Sequence, residues 1–245
     1  MTVHLERTER LLGSDGLQRL RSACVAVFGL GGVGSFCTEA LARSGLGHVR
    51  IVDHDVVSAS NCNRQLHAMQ STLGQSKADV MKCRVLDIDP TIRVESIQDF
   101  FALDTADELL KPPLDMVVDA IDALGPKIEL LVRCKAMGIP IVTVLGGAAR
   151  LDPTKVRVAA LAETAGDPLA SRVRKMLRRR TTLDGFTAVF SVEPPRPTAV
   201  EGWPMMTDDL CRGRQRVIQP SMMMVPAAMG LAAAAEVVRH VAFAE

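Results

Sequence analysis

CVAVFGLGGVG, from Cys24 to Gly34, decides the fold: five apolar residues run directly into a glycine fingerprint with no spacer between them. A short, continuously apolar run suits a parallel strand buried on both faces. Gly29, Gly31 and Gly34 satisfy G-x-G-x-x-G, with Gly32 adding a fourth glycine inside it. Glycines permit a tight turn and close approach of the backbone to phosphate, and a helix N-terminus just beyond favours anions. The plainer alternative is a tight turn with no ligand. A helical pattern follows from about Val33 to Arg43, and HVRIVD, His48 to Asp53, is a second strand ending in an acid able to accept from a ribose hydroxyl. This is a βαβ unit with a nucleotide site, and the fingerprint taken alone favours NAD.

Working outward, further helices are expected over Lys77 to Asp87 and Lys127 to Met137, with strands over Arg93 to Gln98, Asp115 to Asp122 and Pro140 to Gly147. Leu5 to Leu20 is a helical lead-in. The alternation predicts an α/β fold: a Rossmann-like, mostly parallel sheet with helices on both faces, binding ligands at the carboxyl ends of its strands. Beyond Arg150 two additional strands, Lys155 to Leu161 and Thr187 to Val192, flank a basic helix, and a polar, proline-rich loop from Glu193 to Arg216 precedes a C-terminal helix. The apolar stretch Val217 to Val238 contains Gln219, Pro220, Ser221, Pro226 and Glu236, which fits a buried helix better than a membrane span. No integral membrane segment is therefore expected.

Composition narrows the class. Apolar residues at 48% and charged residues at 23% are the balance of a globular chain. A net charge of +1 offers no general attraction for a polyanion, so any nucleic-acid affinity must come from a local patch. Cys24, Cys37, Cys62, Cys83, Cys134 and Cys211 are dispersed without C-x-x-C spacing, arguing against structural zinc and for a reduced cytosolic setting. MTVHLERTER lacks the apolar stretch of a secretory signal. The expected location is cytoplasmic, with an organelle surface or mitochondrion as the alternative.

A second group of residues turns the reading away from NAD. VVSASNCNRQLHAM follows shortly after Asp53, placing Asn61, Arg64 and Gln65 near the nucleotide end of the sheet, and Lys77 opens a helix after GQS. Hydride transfer has no use for a cation pair there, whereas nucleotidyl transfer needs positive charge on a triphosphate. Taken singly, each cation is an ordinary surface residue. VVDAID sets Asp119 and Asp122 at a strand's carboxyl end, where Asp122 is a candidate for the magnesium that accompanies ATP or, alternatively, a helix N-cap.

Together these residues resemble the superfamily of adenylating enzymes that includes ubiquitin-activating enzymes and the sulfur-carrier adenylyltransferases of molybdopterin and thiamine biosynthesis. The shared pattern is GLGGVG, Asp53-His54-Asp55, Asn61-Cys62-Asn63-Arg64-Gln65, Gly74-Gln75-Ser76-Lys77 and Asp119-Ala120-Ile121-Asp122. The resemblance implies ATP and Mg2+ as cofactors. It places Asp53 on the ribose, assigns Asp55 to the ATP site, sets Asn61, Arg64, Gln65 and Lys77 around the phosphates, and gives Asp122 to magnesium. It also implies a homodimer in which Arg7, within LERTERLLG, reaches the partner's triphosphate.

GGAARLDPTKVRVAAL, DPLASRVRKMLRRR and VFSVEPP in the second half are similar to the tRNA threonylcarbamoyladenosine dehydratases. This resemblance spans nearly the whole chain, expected as one adenylating domain over 1–245, with 1–150 the nucleotide half and 151–245 the substrate and dimer half. Two departures are His4, where an arginine is usual, and IQPSMMM, which excludes a catalytic thiol near Ser221 and leaves Cys211 as the region's cysteine. Independently, Asp167 can cap and Pro168 can start a helix whose apolar stripe is Leu169, Val173, Met176 and Leu177. Arg172, Arg174, Lys175, Arg178, Arg179 and Arg180 lie off it and suit tRNA phosphates, against the reading of a solvated face. Arg212, Arg214 and Arg216 are the alternative tRNA surface. The expected activity is ATP-dependent cyclising dehydration of threonylcarbamoyladenosine in tRNA through an acyl-adenylate. Its rivals are an adenylyltransferase with a ubiquitin-like sulfur-carrier or desulfurase-type partner, and an NAD-binding oxidoreductase or binding module.

Overall fold

A computed structural model describes residues 3–197 and 219–244. Alternating residues of the first strand show how the layers arise. In β1 (Cys24–Phe28), Val25 and Val27 enter one apolar cluster while Ala26 and Phe28 enter another. A strand with no polar face must be covered on both sides.

Covering the first side are α1 (Glu6–Ser22), α2 (Gly34–Ser44), α3 (Lys77–Ile88) and α7 (Met224–Ala242), which contribute Leu20, Leu41, Met81 and Met229 to its cluster. On the other lie α4 (Ala106–Leu109), α5 (Leu124–Met137) and α6 (Pro168–Leu177), through Leu109, Leu130 and Val173. Between them β1 joins β2 (His48–Val52), β3 (Arg93–Ile97), β4 (Met116–Asp119), β5 (Ile141–Val144), β6 (Val156–Ala160) and β7 (Phe186–Ser191) in one sheet. Its order is β3-β2-β1-β4-β5-β7-β6, parallel except for β6, which pairs antiparallel with β7.

The expected α/β architecture is present, and the differences are local. Strand β4 ends at Asp119 because the chain turns there, rather than continuing to Asp122, and α5 begins at Leu124. The apolar C-terminal stretch is a core helix. α7 is long and apolar enough to cross a membrane, yet half of its apolar window is buried inside the protein. At its crossing with α2 a β-carbon on Gly230 would lie 2.4 Å from Val33 O, so glycine is what lets α7 approach the start of α2.

Candidate active site

The sheet's order reverses at β1, which has β2 on one side and β4 on the other. Ligands of open α/β sheets bind at such a switch point, outside the strand carboxyl ends. The glycine loop leaves β1 there. Gly29 has φ of 87°, a value favouring glycine, and donates to Val52 O at 2.8 Å. A β-carbon on Gly34 would stand 1.8 Å from Gly29 O, and one on Gly29 would stand 2.8 Å from Ala120 O. The fingerprint therefore fixes how closely the loop, the start of α2 and the turn after β4 approach one another.

Asp53, just past β2, is buried and holds the loop directly. Its Oδ2 accepts from Leu30 N at 2.6 Å and its Oδ1 from Asp55 N at 2.9 Å. Each carboxylate oxygen has a second lone pair, so capacity for a ribose hydroxyl remains.

The crossover from β2 to α3 lies across the glycine loop. β-Carbons on Gly31 and Gly32 would meet Gln65 Nε2 at 4.0 Å and Arg64 O at 3.3 Å, with Pro226 of α7 also 3.3 Å from the latter. Gln65 is buried, and its Oε1 has no partner among the described residues. Arg64 Nη1 donates to Ser60 O at 2.8 Å and Asn63 Oδ1 at 3.0 Å. Asn61 is a cap for its own turn, its Oδ1 accepting from Ser58 N at 3.2 Å.

Lys77 is the first residue of α3, behind an N-cap in which Ser76 Oγ accepts from Asp79 N at 3.3 Å. Its amide bonds Asp55 O at 3.1 Å. That contact brings the side chain, only 6% exposed, to Asp55, where Nζ donates to Oδ2 at 2.8 Å. In the free chain Asp55 is thus the resting partner of Lys77. Asp53, His54 and Asp55 are the described acidic or imidazole groups close enough to share a cation, but the carboxylates are already engaged by backbone amides and Lys77.

Asp122 is exposed on the turn between β4 and α5. The N-cap of α5 is Ala123, with no side-chain capping bond, so Asp122 does not serve as the cap the sequence allowed. An exposed carboxylate near the glycine loop is of the kind Mg2+ takes, one or two carboxylates with the rest of the shell completed by water and phosphate oxygens.

Arg7 lies at the other end of the molecule. Leu5 abuts Gly45, the C-cap of α2, with its Cδ1 3.1 Å from where a β-carbon would sit, and His4 pairs with Asp89, the C-cap of α3, at 3.5 Å. An eleven-residue helix is about 16 Å long, so the length of α2 separates Arg7 from its own glycine loop.

The basic segment needs two corrections. Asp167 caps α6 as expected, accepting from Ala170 N at 2.8 Å, but the helix stops at Leu177, leaving Arg178, Arg179 and Arg180 at and beyond its end. The buried stripe is Ala170, Val173 and Leu177, while Met176 is 36% exposed, because the helix packs on a narrower face than its four apolar residues suggested. Two cations are also tied down: Arg174 bonds Thr164 O at 2.7 Å and Arg180 pairs with Glu129 at 2.7 Å. Arg172, Lys175, Arg178 and Arg179 are exposed. Cys211, Arg212, Arg214 and Arg216 lie outside the described residues.

Sequence reasoning missed three features. Lys127 and Asp119 form an ion pair with both side chains 0% exposed. His67 is fully buried with neither ring nitrogen partnered among the described residues; burial first, then the charges of Lys77 and Arg84, push its pKa down to about 4. Ala149, after β5, has φ of 58°, donates to Pro220 O at 2.7 Å and accepts from Arg196 N at 2.8 Å. A lysine in the first turn of a helix, against the macrodipole, was the available signal for the first. The others depend on tertiary contacts.

Fold and site together define a Rossmann-like nucleotide-binding protein with a glycine loop at the sheet's switch point and a buried lysine tied to it through Asp55 and Asp53. The chain belongs to the ThiF family, whose model matches residues 5–243. It is 39% identical over 232 residues to a tRNA threonylcarbamoyladenosine dehydratase of Bacillus subtilis (strain 168), covering 94% of this chain and 91% of that one. Identity is 40% over 192 residues to a protein of the same description from Haemophilus influenzae, covering 76% and 74%. The crystal structure of the Escherichia coli tRNA N6-threonylcarbamoyladenosine dehydratase in complex with ATP superposes with a TM-score of 0.85 at 33% identity, covering 98% of this chain and 93% of that one.

Proposed function

We propose that the protein is an ATP-dependent tRNA threonylcarbamoyladenosine dehydratase. The observation that carries the reading is the buried Lys77, tied through Asp55 and Asp53 to the glycine loop at the switch point, a cation suited to a polyanion and of no use to hydride transfer. Similarity over nearly the whole chain to proteins of that description supports the choice of substrate.

In this reading the carboxylate of the threonylcarbamoyl group attacks the α-phosphorus of ATP. The bond from that phosphorus to the bridging oxygen breaks, pyrophosphate leaves, and an acyl-adenylate remains. A nucleophile within the same modification then attacks the activated carbon, loses its proton and expels AMP, so the tRNA loses one water overall. The ring-closing step is intramolecular, and well-oriented reactions of that kind reach effective molarities on the order of 10⁵ M. No enzyme nucleophile is required. In keeping with that, burial raises the thiols of Cys24 to about 11 and of Cys37 and Cys134 to about 12.

Asp53 holds the ribose while anchoring the loop, and Gly29, Gly31, Gly32 and Gly34 let backbone amides approach the phosphates. Asn61 shapes the crossover; Arg64 and Gln65 face the loop from it. Lys77 leaves Asp55 for the triphosphate, spreading charge as it builds in the transition state. Mg2+, held by Asp122, would neutralise phosphate oxygens. Arg7 serves the partner's site in a homodimer, which accords with its distance from its own loop. Residues 1–150 form the nucleotide half and 151–245 the substrate and dimer half. The exposed cations Arg172, Lys175, Arg178 and Arg179, helped by Arg174 and Arg180, capture tRNA, and the enzyme works in the cytoplasm. A sulfur-carrier adenylyltransferase is the second reading. The absence of C-x-x-C pairs from the sequence weighs against it.

Incubating tRNA that carries threonylcarbamoyladenosine with enzyme, ATP and Mg2+, then digesting it to nucleosides for mass spectrometry, tests the proposal. The expected product is the nucleoside less one water, dependent on ATP. An unchanged nucleoside alongside adenylation of a sulfur-carrier C-terminus would replace this reading with the second.

A further inference from the structure

Beneath the site runs a buried polar network. Lys127 Nζ donates to Asp119 Oδ2 at 2.6 Å, to Val144 O at 2.9 Å and to Thr143 Oγ1 at 3.3 Å, using all three of its protons. Thr143 Oγ1 donates to the same Asp119 oxygen at 2.6 Å, and Asp119 Oδ1 accepts from Ile121 N at 3.1 Å. Lys127, Asp119 and Thr143 are all 0% exposed.

Such a network is a poor device for stability alone. Desolvating two charges costs much of what their attraction returns, and replacing a buried pair with well-packed apolar residues is often neutral or stabilising. Lys127 also sits in the first turn of α5, where the helix dipole disfavours a cation. What the pair does achieve is geometric. Asp119 ends β4 and Lys127 lies one turn into α5, so their bond closes across the turn that carries Asp122. The turn's start is fixed by Ile121 N on Asp119 and by Ala120 N on Phe28 O at 2.9 Å. Ala120 O is also the atom that limits the approach of Gly29.

We propose that Lys127, with Asp119 and Thr143, is a positioning residue that holds the Asp122 turn in register with the glycine loop and so sets how well Mg2+–ATP binds. The inference rests on the reading of Asp122 as the metal-binding carboxylate. Groups that orient a metal ligand typically change metal affinity by 10- to 100-fold when removed.

The test uses the full chain and two sets of variants. The balanced triple variant Asp119→Leu/Lys127→Met/Thr143→Val removes the network without leaving a buried charge, and Thr143→Val alone is a milder form that keeps the ion pair. ATP affinity is measured by calorimetry across a Mg2+ titration and in EDTA, with a thermal melt for each variant. The triple variant is expected to melt near the parent temperature, to bind ATP in EDTA as the parent does, and to need about 10-fold more Mg2+ for the half-maximal gain in affinity. Thr143→Val should shift in the same direction by a few-fold. Should the triple variant not fold, the shift in Thr143→Val decides. A folded variant with the parent's Mg2+ dependence overturns the inference. Asp122→Asn separates the two levels: if it too retains the parent's Mg2+ dependence, the metal role of Asp122 has failed; if it alone loses that dependence, only the positioning role has.

Discussion

Replacing Lys77 with alanine separates catalysis from folding, and the structure supplies both magnitudes. The side chain is 6% exposed and donates to Asp55, whose own side chain is 35% exposed. With one partner facing water, the lost pair is worth no more than about 1 kcal/mol, the range for solvent-screened ion pairs. Asp55 can rehydrate in place, so no buried charge is stranded, and the Ser76 cap of α3 is untouched. Catalysis should suffer far more. Deleting a preorganised group that meets developing charge costs about 10²- to 10³-fold in rate, or roughly 3 to 4 kcal/mol. Pyrophosphate release under saturating ATP and modified tRNA, measured beside a thermal melt, reads both quantities. A variant that melts within a few degrees of the parent and releases pyrophosphate at a near-parental rate would refute the assignment, as would a rate loss explained entirely by unfolding.

Three further outcomes follow from the same geometry. Arg7→Ala and Asp122→Ala, each inactive alone, should regain part of the activity when mixed and allowed to exchange subunits; no recovery despite exchange seen by native mass spectrometry would mean the site is not shared. Replacing Arg178, Arg179 and Arg180 with alanine should weaken tRNA binding and flatten its salt dependence by about two units of log–log slope, since each phosphate contact contributes about 0.9 and Arg180 already pairs with Glu129; unchanged affinity and slope would leave these arginines a solvated face. His67, held down to about 4, stays neutral in the fold while its unfolded counterpart protonates, so stability is complete above the ordinary value near 6.5 and is lost as pH falls toward 4, by about 3 kcal/mol in all; melts of His67→Leu across that range should lack this component, and an equal pH slope in both proteins would assign the loss elsewhere.

Patterns that repeat within a few residues were legible in the sequence. The β1 run, the glycine fingerprint and the acid after β2 lie in one continuous stretch, and each is forced by local geometry that the structure reproduces. Lys77 was legible for the same reason, as the residue that opens a helix after GQS. Asp119 was read only as a strand-end acid. Its engagement with Lys127 and Thr143 depends on β5 lying beside β4, an adjacency that no local pattern encodes. The apolar stripe of α6 was read too wide because a short helix at the flank of a domain buries fewer of its apolar residues than its periodicity offers, which left Met176 outside. Arg178, Arg179 and Arg180 continue the helical pattern in sequence, but buried Leu177 ends the regular turn before them.

Ala149 bears on how sequences of this architecture can diverge. Its amide and carbonyl hold Pro220 and Arg196, so the chain leaves and re-enters the sheet's carboxyl edge at a single residue. A change at this one position therefore acts on both anchors at once. A left-handed alanine holds both at a cost of about 1 kcal/mol, so glycine there would keep the two anchors without that strain, while a β-branched residue would loosen them together.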